Sequence, residues 1–513
     1  MAKTLPKPKL AEAGPGAGKT HTMVDEIVAA IQLLPPHRFL AAITYTNAAA
    51  NTIRERLSRR VQVRRNVFVG TTHSFVNRFV LAPFAELLTL LPQDRIYAAI
   101  DPYDKVNSPA GAAAYTKNLI KKGIVPYDSM IPTSRTILKT PGIRDRICER
   151  LAYIFVDEFQ DVDNGMFEVF EHFRKAVRTS LYAVGDPEQY VMSFAYRGHK
   201  PPTFDKIPFF RFKKQADLGP IIENHRSNGE IVTFANQFRE DLKQRAIKPK
   251  RNEPRVLFIA ATSLEEIVRR YQALSANVET EDEPRTRLYL SEENATFDSV
   301  RDQFQLTVLS NDGRRSNTIL GDALELLSLA LDRSQRRICE EVGLSRLQWR
   351  AVGVRLLRNL LAGKYGIDQL VMFVADEFDY KMSDSRIKLV DDGLRLLSAE
   401  LYWGAPAQRT ELCASIRKAK GLQADAVLVV AKGVVELKKW LQTDRLVRVA
   451  DNQDKCRLGY VAFTRPKEML CIGCLKEIDA ELIQMFQTLG IVTVAGNDAR
   501  KDSGSEDKVA LHE

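Results

Sequence analysis

The sequence has 513 residues, which is too long for one hydrophobic core and indicates about two to four domains. Hydrophobic residues make up 45% of the chain and charged residues 27%, as in ordinary soluble proteins. No run approaches about 18 apolar residues, so a membrane-spanning protein is excluded. The net charge of +10 favours a polyanionic partner, although charge spread over this length is weaker evidence than a compact patch.

Six cysteines are scattered along the chain, and the N-terminal residues lack the pattern of a secretory signal, so no disulfide framework is expected. The predicted compartment is therefore reducing, as in the cytoplasm. Cys471 and Cys474 form a C-x-x-C pair, but no second pair of cysteines or histidines lies at the spacing of zinc ligands. We interpret both residues as small apolar members of a strand over 469–474.

A glycine-rich stretch, A-G-P-G-A-G-K-T at 13–20, lies between a strand-like run (Lys9–Glu12) and a helical pattern over 21–34. Such a loop turns successive backbone N–H groups toward a phosphate chain, and the following helix N-terminus adds partial positive charge. The stretch fits G-x-x-x-x-G-K-[ST] except that Ala13 replaces the first glycine. The predicted nucleotide cradle comprises Gly14, Gly16, Ala17, Gly18, Lys19, which reaches the β- and γ-phosphates, and Thr20, which holds Mg²⁺.

Two further strand-like runs, Phe39–Thr44 and 67–70, are followed by aromatic and hydrogen-bonding residues. Such residues at a strand end suit stacking on an unpaired base, with phosphate contacts alongside. We therefore predict DNA contacts from Tyr45, Thr46, Asn47 and His73. A tyrosine that belongs to the core at its strand end is an equally good interpretation of the first of these residues.

Strand-like runs over 153–156 and 181–184 are followed by turns with carboxylate and amide side chains. After the first, Asp157 is predicted to hold Mg²⁺ and Glu158 to polarise the attacking water, because γ-phosphoryl transfer needs a positioned nucleophile. An acidic helix cap is the alternative. After the second, Gln189 can sense the γ-phosphate by a hydrogen bond.

Two residues that follow this glutamine at a short distance offer further contacts to a strand. Tyr196 presents a base-stacking face and Arg197 a phosphate contact. Because of their position, a change in the bound nucleotide would alter how tightly the protein binds the DNA strand.

In order, the series A-G-P-G-A-G-K-T, T-Y-T-N-A-A-A, G-T-T-H-S-F, V-D-E-F-Q-D and V-G-D-P-E-Q resembles the motifs of UvrD/Rep-type superfamily 1 (subfamily A) helicases. E-N-H-R-S is similar to the family's N-Y-R-S box, which implies that His225 stacks on adenine and Arg226 approaches the γ-phosphate. S-I-R-K-A-K-G-L-Q is similar to the fifth motif and implies nucleotide contacts from Gly421 and Gln423. R-L-G-Y-V-A-F-T-R matches the sixth motif, which implies that Arg465 is the trans-domain arginine finger.

The resemblance implies an α/β fold with two RecA-like parallel-sheet P-loop domains, each carrying a mostly helical insertion. The predicted segments are 1–78 and 148–212 for the first domain (P-loop, Mg-ATP), 79–147 for its insert, 213–300 and 410–495 for the second domain (arginine finger), 301–409 for its insert and 496–513 for a disordered tail. Strands of the second domain are predicted at Val256–Ile259, 287–290, 427–430 and 469–472.

Within the second insert, the segment 334–357 contains R-R-I-C-E-E-V-G-L-S-R-L-Q-W-R. It has a helical pattern, a glycine-bearing turn, a serine cap and a second, basic helical pattern, which is the layout of a helix-turn-helix. A plain αα-hairpin is the more common structure for such a pattern. In both cases this segment is where we expect duplex contacts.

The sequence departs from the family's pattern in several places. In the fifth motif Arg417 replaces a usual histidine and Gln423 a usual glutamate. No glutamine precedes Gln32, where these helicases carry an adenine-reading glutamine before the P-loop, and His21 replaces a common adenine-stacking arginine. Both changes predict relaxed base selectivity. Two residues are added between Gln189 and Arg197, so the assignment of Tyr196 stays open. The short inserts are similar to those of compact helicases that accompany a nuclease in Gabija-type phage-defence pairs.

The resemblance implies an ATP- and Mg²⁺-dependent translocase on single-stranded DNA and single-strand/duplex junctions. Such an enzyme moves 3′ to 5′ and unwinds duplex DNA in repair, recombination or phage defence. An ATP-gated sensor or loader that regulates a nuclease subunit without processive unwinding is the alternative. A P-loop kinase or transporter ATPase does not explain the V-D-E-F-Q-D and T-R motifs. Nuclease activity of the chain itself is not expected, because no metal-nuclease cluster follows Arg465.

Overall fold

The computed structural model describes residues 7–86, 88, 90–91, 96–98, 108–176, 178–196, 201–249, 253, 255–276, 278, 285–308, 319–333, 335–362, 366–384, 386–388, 390–391, 393–394, 397 and 411–494. The predicted disordered tail and Arg197 lie outside these residues. None of the helices described there is both long and apolar enough to cross a lipid bilayer.

The strands are β1 (Lys9–Glu12), β2 (Phe39–Thr44), β3 (Val67–Thr71), β4 (Ile96–Ala98), β5 (Ile124–Pro126), β6 (Leu151–Val156), β7 (Ser180–Gly185), β8 (Asp217–Leu218), β9 (Glu223–Asn224), β10 (Arg245–Ala246), β11 (Val256–Ile259), β12 (Arg287–Ser291), β13 (Thr307–Val308), β14 (Glu411–Ser415), β15 (Ala424–Ala431), β16 (Pro466–Cys474) and β17 (Val492–Val494).

The α-helices are α1 (Lys19–Leu33), α2 (Asn47–Ser58), α3 (Thr72–Val76), α4 (Ala82–Phe84), α5 (Pro109–Lys121), α6 (Met130–Leu138), α7 (Pro141–Arg150), α8 (Asn164–Lys175), α9 (Pro208–Lys213), α10 (Gly229–Ala235), α11 (Leu264–Ser275), α12 (Ile319–Ala330), α13 (Gln335–Val342), α14 (Arg346–Leu361), α15 (Ile367–Phe378), α16 (Val434–Trp440), α17 (Arg445–Ala450), α18 (Lys455–Phe463) and α19 (Ala480–Leu489).

Two parallel sheets form two lobes. The first sheet has the order β3-β2-β6-β7-β1-β8 and the second the order β13-β14-β12-β15-β16-β11-β17. Every strand pair in both sheets is parallel. Helices cover the sheets, which explains why central strands such as β15 are buried along their whole length. The α/β fold class is thereby confirmed.

The predicted strands are present, and their bounds differ by a few residues. In the first lobe β3, β6 and β7 each exceed the predicted run by one or two residues. The predicted start of the P-loop helix is wrong by two residues. Gly18 has a left-handed conformation (φ 77°) and caps the helix, so Lys19 already belongs to its first turn. Cys471 and Cys474 lie buried in β16, as predicted.

The two helical inserts differ in how they are attached. In the first, α6 and α7 bury Ile137 and Ile147 in the same core as the strand residues Ile43 and Val156, and β4 pairs with β5. In the second, α12 to α15 surround a core of their own that contains Trp349. We therefore propose that the second insert is an independent helical unit and that the first is an extension of its lobe.

Candidate nucleotide-binding site

The P-loop lies at the carboxyl end of β1 and runs directly into α1. Gly16 and Gly18 have φ angles of 73° and 77°, in the left-handed region that favours glycine. Ala13, where the general motif has glycine, is wholly buried and donates its N–H to the Gly185 carbonyl at 3.0 Å. An alanine therefore fits the first position because it is part of the sheet rather than of the phosphate-facing loop.

Residues that follow β8, the last strand of the first sheet, hold the P-loop backbone. The side-chain amides of Asn224 and Gln244 both donate to the Pro15 carbonyl, at 2.8 and 3.1 Å. The N–H of His225 donates to the Gly16 carbonyl at 3.0 Å. Because the loop is fixed from this side, its own N–H groups stay available to a ligand. Sequence analysis assigned no role to Asn224 or Gln244.

Glycines 14 and 16 lie in close contact with side chains of the second lobe. A Cβ atom there would lie 2.4 Å from Cδ of Gln244, and one at Gly16 would lie 2.7 Å from Cβ of Arg226. Both distances are shorter than van der Waals contact. A side chain at either position would therefore displace Gln244 or Arg226 of the second lobe.

The predicted carboxylates follow β6. Glu158 has φ 50° and ψ 46°, a strained conformation for a residue with a side chain. It is held by hydrogen bonds from its N–H to Asp157 Oδ1 (2.9 Å) and from the Gln160 side-chain amide to its carboxylate (2.5 Å). The Thr20 hydroxyl is hydrogen-bonded to Asp157. The P-loop hydroxyl and the carboxylate of β6 thus lie side by side.

Burial and mutual charge determine how these groups titrate. Burial and the adjacent Glu158 raise the pKa of Asp157 to about 7. Burial alone would also raise the pKa of Glu158, but the charges of Lys19 and Lys420 hold it below its usual value. Burial lowers the pKa of Lys19, against the opposing effect of Glu158, Asp186 and Asp157.

The second lobe contributes two neighbouring guanidinium groups. Arg465 donates to the side chain of Gln189 at 2.9 Å, and Arg226 donates to Gln423 at 2.8 Å and to the Thr464 carbonyl at 3.0 Å. Burial and the nearby Arg465 lower the pKa of Arg226 to about 9, and burial lowers that of Arg465 to about 10. Within the described residues, neither arginine forms an ion pair, so both are held by neutral oxygens.

These groups surround one cavity of about 370 Å³ between the lobes. The predicted residues that line it are Gly14, Gly16, Gly18, Lys19, Thr20, Glu158, Gln189, His225, Arg226, Gly421, Gln423 and Arg465. Three further cationic side chains that were not predicted also line the cavity, namely Arg56, Lys248 and Lys467. The cavity is therefore rich in positive charge and suits a compact polyanion.

Three of the predicted nucleotide contacts lie outside the cavity lining. Ala17 and Asp157 are buried, each about 3% exposed. The ring of His21 lies instead 3.2 Å from the guanidinium of Arg60, which follows α2, and 3.7 Å from Asp25 of its own helix α1. A stacking role for His21 on a base stays a prediction.

The predicted DNA contacts have varied surroundings. Tyr45 packs partly buried against the core of the first lobe, and burial raises its pKa. The Thr46 hydroxyl accepts from the Ala49 N–H at 3.1 Å and so caps α2, which begins at Asn47. The ring of His73 lies 5.4 Å from that of Tyr127, and burial lowers its pKa.

One exposed aromatic ring was missed. Phe194 is 57% exposed, and the Arg417 guanidinium of the second lobe lies 5.7 Å from its ring centroid. The hydroxyl of Tyr196 is hydrogen-bonded to Tyr190, so that ring is held against its own lobe. Phe194 therefore offers a stacking face beside a cation from the opposite lobe. The two residues added between Gln189 and Arg197 had left the assignment of Tyr196 open.

Buried ion pairs connect the two lobes around the cavity. Arg448 of α17 pairs with Glu188 at 2.6 Å, and Lys420 pairs with Asp161 at 2.5 Å. Between them, Asp454 accepts from the Ser193 N–H at 2.6 Å. Each partner comes from a different lobe, so these contacts close the cleft.

Comparison with known proteins agrees with this geometry. Residues 1–108 and 110–208 match the model of the UvrD/REP helicase N-terminal domain. Residues 1–208 are thus similar to the N-terminal domain of UvrD/REP helicases. The match confirms the resemblance on which the motif assignment rests, and it covers the part of the chain that holds the P-loop and both carboxylates.

Similarity to individual proteins extends beyond this match. The chain is 28% identical to the Gabija protein GajB of Bacillus cereus (strain VD045), over 49% of this chain and 50% of that protein. It is 26% identical to the ATP-dependent DNA helicase Rep of Buchnera aphidicola subsp. Acyrthosiphon pisum (strain APS), over 45% and 42%. It is 23% identical to the ATP-dependent DNA helicase PcrA of Staphylococcus aureus (strain Mu50 / ATCC 700699), over 54% and 43%. The chain thus spans about half the length of these relatives or less.

The cross-lobe ion pair allows a test of the closed cleft. In Glu188→Gln the Arg448 charge stays buried without a carboxylate, so we expect the free energy of unfolding to fall by about 3 kcal/mol in urea denaturation. The matched control is Glu55→Gln, which removes the partner of Arg59 from an exposed pair and should cost less than about 0.5 kcal/mol. Equal losses in the two variants would show that the cross-lobe pair does not stabilise the closed form.

Proposed function

We propose that the chain is an ATP- and Mg²⁺-dependent translocase on single-stranded DNA that moves 3′ to 5′ and unwinds duplex DNA at junctions. The observation that supports this proposal most directly is the cavity between the lobes. There Lys19 of the first lobe shares one space with Arg226 and Arg465 of the second. A ligand that binds all three would join the lobes, and its hydrolysis would release them.

The site fits a nucleoside triphosphate with Mg²⁺. Among the residues that the structure describes, Arg226 and Arg465 have no carboxylate partner, and Lys19 is buried beside them, so the site calls for several negative charges. The hydroxyl of Thr20 and the carboxylate of Asp157 lie together as oxygen ligands for a hard cation. Bound there, Mg²⁺ would neutralise charge on the phosphates.

The residues of the site would then have different roles in hydrolysis. Glu158, whose pKa is kept low by Lys19 and Lys420, is ionised and accepts a proton from the attacking water. Arg465 and Arg226 stabilise negative charge that develops on the transferred phosphoryl group. Gln189 contacts Arg465 directly, so a change at the phosphate reaches the segment that leads to Phe194. Nucleotide state and grip on the DNA strand are thereby coupled.

Similarity to a Gabija protein favours a second candidate. In that case the chain is an ATP-gated sensor or loader that regulates a nuclease subunit in phage defence, in the cytoplasm, without processive unwinding. A forked-duplex assay separates the two candidates. Strand displacement supports the translocase, whereas DNA-stimulated ATP turnover without displacement supports the sensor.

ATP turnover tests the shared part of both candidates. We expect single-stranded DNA to stimulate turnover by the native chain. We expect Lys19→Ala to lower turnover at least about 100-fold, because the variant lacks the positive charge that Lys19 would place on the phosphates. The control is Lys9→Ala, an exposed lysine of β1 that pairs only loosely with Glu26, and it should turn over normally. Full turnover by Lys19→Ala would refute the P-loop assignment, and turnover indifferent to DNA would refute translocation.

A second experiment tests the DNA path. Phe194→Ala should weaken binding of a labelled single-stranded oligonucleotide by about 1–3 kcal/mol, because one base loses its stacking partner. Tyr196→Phe is the control: it keeps the ring, loses only the hydroxyl bonded to Tyr190, and should bind within about twofold of the native chain. Fluorescence anisotropy measures both affinities. Native affinity in Phe194→Ala together with a loss in Tyr196→Phe would contradict the assignment.

A further inference from the structure

The P-loop contains two glycines whose backbone could adopt more than one conformation. Gly16 and Gly18 have φ angles of 73° and 77°, and glycine populates positive and negative φ about equally. Rotation of a peptide beside either glycine would turn a carbonyl oxygen, instead of an N–H group, toward a bound phosphate. Because a carbonyl oxygen repels negative charge, a loop in that conformation would bind a nucleotide weakly. Tight binding therefore requires contacts that fix the orientation of these peptides.

Two consecutive carbonyl groups of the loop are held from outside it. The Pro15 carbonyl accepts from the side-chain amides of Asn224 and Gln244, at 2.8 and 3.1 Å. The Gly16 carbonyl accepts from the His225 N–H at 3.0 Å. Rotation of either peptide would break these hydrogen bonds, and Asn224 and Gln244 are buried where water does not replace a lost bond. The bonds therefore favour the conformation in which both carbonyls are directed at these donors and not at a ligand.

Gln244 is held in place by the second lobe. Asn236 binds its backbone in both directions, because the Gln244 N–H donates to Asn236 Oδ1 and the Asn236 side-chain amide donates to the Gln244 carbonyl, both at 2.8 Å. Asn236 directly follows α10, and Phe234 of that helix packs in the same core as Val427 of β15. The Gln244 Oε1 accepts from the Asn224 amide at 3.3 Å, which leaves its amide nitrogen to face the loop. The second lobe thus presents a fixed donor to a loop of the first.

The contact between Gln244 and the loop leaves no room for a side chain. A Cβ atom at Gly14 would lie 2.4 Å from Cδ and 2.5 Å from Oε1 of Gln244, and its three nearest neighbours all belong to that amide. Gly14 is not among the described glycines with positive φ, so an alanine there would not be strained by its backbone. An alanine at position 14 would therefore be opposed chiefly by one side chain of the opposite lobe.

We infer that Gln244 is a positioning residue that keeps the P-loop in its phosphate-binding conformation from the opposite lobe. Gln244 is not among the described residues that line the cavity, so it acts through the Pro15 carbonyl and not by contact with the nucleotide. The affinity of the P-loop for a nucleotide then depends on a side chain of the second lobe. This inference rests on the proposed function, because it concerns the same nucleotide site.

Equilibrium binding of a fluorescent, non-hydrolysable ATP analogue with Mg²⁺ to the full chain tests this role, and ATP turnover is measured in parallel. Gln244→Leu removes the donor but keeps a side chain of similar size. It should weaken binding of the analogue about 5- to 10-fold, the equivalent of one hydrogen bond, and raise the KM for ATP more than it lowers kcat. The matched control is Gln237→Leu, which removes a hydrogen bond of the same kind, to the Leu489 carbonyl at 3.0 Å, elsewhere in the second lobe. It should bind the analogue within about twofold of the native chain.

A double-mutant cycle separates this role from a general loss of stability. Gly14→Ala should weaken binding of the analogue at least about 10-fold, because its Cβ atom displaces the Gln244 amide. In a Gln244→Ala background, where that space is open, the same change should cost no more than about twofold. An equal loss in both backgrounds would overturn the inference, as would native affinity in Gln244→Leu. A native chain that binds the analogue but does not turn over ATP would contradict the proposed function, and the cycle would still decide the role of Gln244.

Discussion

Positive charge buried between two parallel sheets is the constraint on which the rest of the structure depends. Lys19, Arg226 and Arg465 line one cavity, and within the described residues the two arginines are held only by uncharged amide, carbonyl and hydroxyl oxygens. Cations removed from water are costly unless they are paired. A polyanion between the lobes would supply the missing partner for both lobes at once, which makes the closed cleft and the bound ligand mutually dependent.

The surrounding contacts show how the protein tolerates that charge. The P-loop is fixed through the Pro15 carbonyl by the side chains of Asn224 and Gln244, which follow the first lobe in the chain. Ion pairs such as Arg448–Glu188 satisfy other buried charges across the same interface. Strain at Glu158 is retained because hydrogen bonds from neighbouring residues fix its backbone and carboxylate. The closed cleft, the shape of the P-loop and the position of the Glu158 carboxylate are therefore linked through these contacts.

Local patterns predicted much of this arrangement. The strands and the P-loop could be read from sequence because apolar runs and glycine spacing are properties of neighbouring residues. Gln244, Arg56 and Phe194 could not, because their roles arise from contacts between segments far apart in the chain, and no local signal marks them. The helix-turn-helix pattern lies between these cases. Its turn residues are local, but which side chains of α14 stay exposed depends on how α12 packs against α14.

The most direct test of the central claim is the distance between the lobes in solution. Dyes on exposed positions, Arg59→Cys in the first lobe and Glu481→Cys in the second, would report it by single-molecule energy transfer in a Cys339→Ser background. With a non-hydrolysable ATP analogue and Mg²⁺ we expect one narrow distribution at short distance, and without nucleotide a broader one that extends to longer distances. Identical distributions with and without the analogue would contradict the account, because the ligand would then not join the lobes.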